Sequence, residues 1–173
     1  MEEYGRRKKH LHIAVAPTKN TARIEWFLEK AVEIGVDEIT PILCDHSERM
    51  LLKQERLDKI VVSAMKQSLK AYKPQVNEPV KLIDFIEKVQ DAPVCKMVCY
   101  CDGDIRVPLH KVFHGESDAL VLIGPEGDFS SREIEKALRS GFKPVTLGEC
   151  RLRTETAALY ATVAVNFLMD AAQ

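Results

Sequence analysis

Two glycine-containing segments in the last third of the chain concentrate residues that could do chemistry. The first is Ile123-Gly124-Pro125-Glu126-Gly127. The second runs from Leu147-Gly148 through Arg151, Leu152, Arg153, Thr154, Glu155, Thr156 and Ala157. Each follows a short apolar run of strand character and leads into a helical pattern. Glycine lets backbone come close to a ligand, and Pro125 stiffens the turn. Two such turns near one another in sequence can build a pocket out of backbone amides. Neither has the GxGxxG spacing of a dinucleotide site or the Lys-Ser/Thr of a P-loop. The Glu126 carboxylate would also repel a neighbouring phosphate. A neutral or cationic adenosine compound fits better, and S-adenosylmethionine, with its sulfonium, ammonium and carboxylate, is of that kind. Arg153 precedes a helix, where the helix dipole disfavours a cation. Its position therefore predicts an anion nearby, either an RNA phosphate or a cofactor carboxylate. Arg153, Glu126 and Glu155 are the candidates for acting on the reacting groups.

The elements that must carry these turns alternate. Residues 12–16 read as a strand ended by Pro17. Asn20 or Thr21 caps a helix whose apolar face is Ile24, Phe27, Leu28 and Ala31, with Gly35 as its stop. Residues 38–43 are rich in strand formers, 53–71 predict a second helix, and Pro74 and Pro79 mark a loop. A short helix over 82–89 and an apolar strand over 94–101 follow, then a loop-like stretch over 102–118. Residues 119–123 predict a buried strand. Ser130-Ser131-Arg132-Glu133 is a capping box, opening a helix with Ile134, Ala137 and Leu138 toward the core and Gly141 at its end. A strand over 144–147 precedes a last helix, 154–171, that is apolar nearly all round. Such a helix is buried on more than one side, which predicts a subunit interface. Alternating strands and helices predict an α/β fold, a mainly parallel sheet with helices on both faces. Ligands of such sheets bind beyond the carboxyl ends of the strands, where both glycine turns fall.

With 173 residues and 46% apolar content, the chain can bury one substantial core. Residues 1–10, with Arg6-Arg7-Lys8-Lys9, read as a basic tail or linker, and 11–173 as the domain. The net charge of −1 provides no global positive field, so contact with nucleic acid must come from local patches. No apolar run approaches a membrane span and no signal peptide is evident, so the expectation is a cytoplasmic protein without a membrane partner. The five cysteines include no CxxC pair and read as reduced thiols. His110 and His114 have helical metal-ligand spacing, but Pro108 and Gly115 flank them and predict a loop, so no metal is expected.

From about Leu11 onward the chain resembles the catalytic domain of the RsmE family, 16S ribosomal RNA uridine-N3 methyltransferases of the SPOUT superfamily. The matching pieces, in order, are Ala16-Pro17-Thr18-Lys19-Asn20, the run from Arg23 to Val36 (RIEWFLEKAVEIGV), Ser47-Glu48-Arg49, Gln67-Ser68, Ile123 to Gly127, and Leu152 to Ala157. The resemblance implies a C-terminal trefoil knot, an obligate homodimer, S-adenosylmethionine as cofactor and 16S rRNA in the small ribosomal subunit as partner. It carries the cofactor positions onto Ile123, Gly124, Pro125, Glu126, Gly127, Leu147, Gly148, Leu152, Arg153, Glu155, Thr156 and Ala157. The RNA side would be lined by Arg23, Lys30, Gln67, Ser68, Lys70 and Arg151. Family members usually carry an N-terminal PUA-like β-barrel, and this chain begins in what resembles the linker after it. Lys66 and Lys70 replace the outer residues of the family's Glu-Gln-Ser-x-Arg, and Cys150-Arg151-Leu152-Arg153 stands where Arg-Ile-Leu-Arg is common. A SPOUT enzyme acting on another RNA base and a non-catalytic RNA- or nucleotide-binding module are the alternatives.

Overall fold

The computed structural model describes residues 7–48, 52–100 and 107–173. Strand β1 (Leu11–Val15) leads through Asn20, whose side chain accepts from the Ala22 N–H, into α1 (Thr21–Ile34). Gly35 closes α1 at φ +123°, in the left-handed region, as its N–H returns to Ala31 O. Then come β2 (Glu38–Leu43), α2 (Gln54–Gln67), β3 (Gln75–Val76), β4 (Val80–Lys81), α3 (Leu82–Val89) and β5 (Cys95–Cys99). The last part of the chain is α4 (Leu109–Val112), β6 (Ala119–Ile123), α5 (Ser131–Arg139), β7 (Lys143–Val145) and α6 (Thr154–Ala171).

All described strand pairings are parallel, in the order β3-β2-β1-β6-β5-β7, with β4 also on β2. Alternate residues of each strand serve opposite faces. Leu11, Ile13, Val15, Val121 and Ile123 pack with α1, α2, α4 and α6. Ala14, Ile42, Val98, Leu120 and Leu122 pack with α3 and α5. The expected α/β sheet with helices on both faces is therefore present. After β7, at the sheet edge, the chain returns to the centre, where α6 lies on β1, β6 and α1.

Several local expectations change. The second helix stops at Gln67 because Leu69 adopts φ +53°, which cannot continue a right-handed helix. The proline-marked loop holds two short strands, since both of its ends reach β2. Leu109–Val112, within the stretch expected to be loop, forms a single helical turn that includes His110. Leu138 is 43% exposed, not core-facing, because Ile134 and Ala137 already fill that side of α5. The basic N-terminal run is partly docked: Arg7 pairs with Asp37 at 3.0 Å and donates to Gly35 O, and Lys9 donates to Gly115 O. Arg6, Arg49 and Cys101 lie outside the described residues.

Helix α6 is less uniformly apolar than its composition implied. Ala158, Ala161, Val165 and Met169 enter the core. Facing α1 is a buried polar edge made of Glu155, Thr162 and Asn166, whose Nδ2 donates to Gly35 O at 2.8 Å. The remaining side exposes Tyr160 (51%), Val163 (48%) and Phe167 (70%). Trp26 and Ile34, also exposed, sit on α1.

Candidate functional site

The site lies at the carboxyl ends of β6 and β7. Ile123 is the last residue of β6 and is buried; Gly124 and the buried Pro125 open the turn, closed by the Asp128 N–H to Pro125 O at 2.9 Å. After β7, Leu147 packs against the core, Gly148 reaches φ +123°, and residues 149–151 are exposed. Arg153 occupies the N-cap of α6 without a side-chain capping bond and is exposed to solvent, as is Thr156. A hydrogen bond joins the two turns: Thr154 Oγ1 donates to Gly124 O at 3.0 Å. Thr154 is 5% exposed, so this bond sits at the seam between them.

The rim is rich in free donors. Among the described residues, the amides of Glu126, Gly127 and residues 149–153 make no hydrogen bond. Donors that meet no acceptor in the fold are available to a ligand. The charges are mixed: Glu126 is exposed and Glu155 buried, while Arg151 and Arg153 point to solvent. This mixture suits a ligand with both cationic and anionic groups.

The glycines of the first turn have a reason in the fold itself. A Cβ on Gly124 would lie 3.0 Å from the Phe129 ring, and one on Gly127 would lie 3.1 Å from His46 Cβ. Both are expected to let backbone approach a ligand, and the structure gives each a packing reason as well, against Phe129 and His46. Around Gly148, by contrast, no atom of the described residues lies within 4 Å of an added Cβ.

Neighbouring loops complete the rim. Thr18, fully buried, donates to Asn20 O at 2.6 Å and accepts from the Ile24 N–H at 3.1 Å, which fixes the start of α1. The Lys19 N–H donates to Glu126 Oε1 at 3.1 Å, so that carboxylate is partly engaged by the protein. Arg23 stands 3.9 Å from Glu155 Oε1, bringing one of the expected RNA-side residues to the turns. Beyond β2, Asp45 accepts from Ser130 Oγ at 2.6 Å and from Arg132 at 2.9 Å. The Ser130 hydroxyl first, then Arg132, hold the Asp45 carboxyl below its usual range.

The other RNA-side candidates divide. Arg151 is at the rim. Lys30, further down α1, pairs with Glu29 at 2.8 Å and Glu33 at 3.4 Å. Gln67, Ser68 and Lys70 follow α2 to the amino ends of the strands, the opposite end of the sheet. Ser68 Oγ donates to Ala64 O at 2.7 Å, and Lys70 reaches toward Gly35 beside Arg7. Burial, then the Arg7 charge, lower the Lys70 pKa. The structure does not bring these three to the turns of the same molecule. Lys19 lies in a matched motif, but its contact with Glu126, the contacts of Asp45 and His46, and the bond of Thr154 have no local signal in the sequence. Only the nearness of Ser47-Glu48 in the matched motifs pointed toward the β2–α2 loop.

A model of the RNA methyltransferase domain matches residues 6–166. The chain belongs to this family. It is 32% identical over 157 residues to the ribosomal RNA small subunit methyltransferase E of Mesomycoplasma hyopneumoniae, covering 87% of this chain and 65% of that protein. A probable rRNA-methyltransferase from Porphyromonas gingivalis has a crystal structure that superposes with a TM-score of 0.89 at 46% identity, over 95% of this chain and 70% of the other. The Neisseria gonorrhoeae ribosomal RNA small subunit methyltransferase E bound to S-adenosyl methionine superposes at 0.81, with 28% identity, over 93% and 67%. The chain spans between 53% and 69% of the length of the first three curated relatives it matches.

Proposed function

We propose that this chain is the catalytic part of an S-adenosylmethionine-dependent methyltransferase that modifies N3 of a uridine in 16S rRNA. The observation that carries the reading is the Thr154–Gly124 bond, which makes one rim of two strand-end turns whose amides meet no acceptor among the described residues. The names of the relatives and the S-adenosyl methionine bound to the Neisseria protein favour the same chemistry. Residues 123–127, 147–148 and 152–157 would hold the cofactor. Its sulfonium supplies the methyl carbon.

The residues then divide the work. Uridine N3 carries a proton and becomes nucleophilic once it is lost. The exposed Arg153 guanidinium stabilises the resulting anion or a flanking phosphate, and Glu126 and Glu155 balance the cofactor's positive charge. N3 bonds to the methyl carbon, the C–S bond breaks toward sulfur, and the proton leaves to solvent. Arg23 and Arg151 flank the approach. We read the return of α6 from the sheet edge to its centre as the closing of the family's trefoil knot. The chain acts as a homodimer through the Tyr160–Val163–Phe167 face. In a two-fold pair Lys30, Gln67, Ser68 and Lys70 could serve RNA bound by the partner. Among the described residues no helix is long and apolar enough to cross a membrane, and the proposed substrate places the protein in the cytoplasm.

Labelled S-adenosylmethionine, partially assembled small subunits and this protein test the reading together. Label at N3 of one uridine is expected. Label on another base would leave the methyltransferase and change its target. Binding of RNA without transfer would favour a non-catalytic module.

A further inference from the structure

The loop after β2 grips the first turn of the site. His46 Nδ1 lies 3.0 Å from Gly127 O and 3.1 Å from Asp128 O. Both partners are acceptors, so Nδ1 carries a proton. Gly127 makes room for the same residue, since a Cβ there would crowd His46 Cβ. Asp128 follows at φ +61°, a left-handed conformation that an aspartate adopts at some cost unless its surroundings hold it. The surroundings are themselves anchored. The Asp45 N–H donates to Oε1 of the buried Glu133 at 2.8 Å, and the Asp45 carboxylate receives Ser130 and Arg132. From the other side, the Lys19 N–H holds Glu126, and Lys19 Nζ pairs at 3.1 Å with Glu48, two residues past His46. Three consecutive residues of the turn, Glu126, Gly127 and Asp128, are thus held by two loops that are tied to each other.

We propose that His46 is a positioning residue for cofactor binding: its Nδ1–H draws the Gly127 and Asp128 carbonyls outward and keeps the Glu126 and Gly127 amides free for the ligand. The proposal rests on the reading of this rim as the S-adenosylmethionine site. Without the imidazole, the turn would sample other conformers and binding would have to restore the right one, which weakens affinity by the fraction competent.

His46 is exposed, so its replacement spares the core. The experiment compares the parent chain with His46→Ala and His46→Asn, whose side-chain amide can place an N–H near the Nδ1 position. Hydrogen exchange of residues 124–130 is followed without ligand, and S-adenosylhomocysteine affinity is measured by calorimetry. In His46→Ala, exchange of the turn should speed up, affinity should fall about three- to tenfold for the lost bifurcated hydrogen bond, and the melting temperature should fall by no more than about 2–4 °C. His46→Asn should recover most of both. Unchanged exchange in His46→Ala overturns the proposal, and so does faster exchange with undiminished affinity. A parent chain that fails to bind S-adenosylhomocysteine overturns the underlying site reading instead, while the exchange data still decide whether His46 holds the turn.

Discussion

Replacing Thr154 by valine removes one hydroxyl and leaves the branched shape of the side chain. In the structure that hydroxyl makes a single 3.0 Å bond, to Gly124 O, and it is the bond that ties the two turns. A net intramolecular hydrogen bond is worth about 0.5–1.5 kcal/mol. Taking roughly 1 kcal/mol, the melting temperature should fall by about 2–4 °C for a domain of this size. If the tie also holds the turns in register for the cofactor, the same energy reappears in binding. At about 1.4 kcal/mol per tenfold, S-adenosylhomocysteine affinity should drop two- to tenfold. Thr162→Val is the control: its hydroxyl bonds Ala158 O within α6 at 2.8 Å and touches neither turn. It should leave affinity unchanged. Thermal melts and calorimetry on both variants give the answer. Lost stability with full affinity in Thr154→Val would refute the coupling and reduce the bond to a fold contact.

Gly124→Ala places a methyl 3.0 Å from the ring of Phe129, which is only 6% exposed; it should cost about 1–3 kcal/mol in urea unfolding, and an unchanged midpoint would show that the ring can yield. Phe167→Glu puts a charge at the most exposed point of the apolar face of α6, and light scattering should move from dimer toward the 19.5 kDa monomer; a parent chain that is already monomeric would remove the proposed interface. Stability should fall in acid in two stages. Burial lowers the pKa of His12 from 6.5 to about 4, so the unfolded chain binds this proton first, and stability should decline as pH drops from about 6.5 to about 4, by roughly 3 kcal/mol at most. The His10 hydrogen bond, the largest cause, lowers Glu38 from 4.5 to about 2, so its contribution is present above 4.5 and lost as pH falls toward 2. His10, raised by Glu38, opposes the first stage, contributing below 6.5 and losing that contribution as pH rises through its folded value. A His12→Gln variant whose stability declines as steeply as the parent's between pH 6.5 and 4 would exclude His12 as the source.

The elements that sequence determined by itself are those whose causes lie within a few residues. Asn20 caps α1, Ser130 and Glu133 form their reciprocal box, and Ile24, Phe27, Leu28 and Ala31 lie on one buried stripe, because capping and helical periodicity act over one turn. The two glycine turns were legible as well, since strand, glycine and helix start adjoin in the chain. What joins them was not. Thr154 reaches Gly124 across 30 positions, and His46 reaches Gly127 across 81. A parallel sheet makes neighbours of distant segments, and nothing local encodes that β6 inserts between β1 and β5. The same distance problem sent Gln67, Ser68 and Lys70 to the far end of the sheet from Arg23 and Glu155, though all stand among or beside the matched motifs. Apolarity, too, is silent about its partner. Ala161 and Phe167 belong to one apolar run in sequence, yet the first is sealed in the core and the second is 70% exposed. Hydrophobic patterning says that a side chain is better out of water; only tertiary packing decides whether the fold itself or another surface removes it.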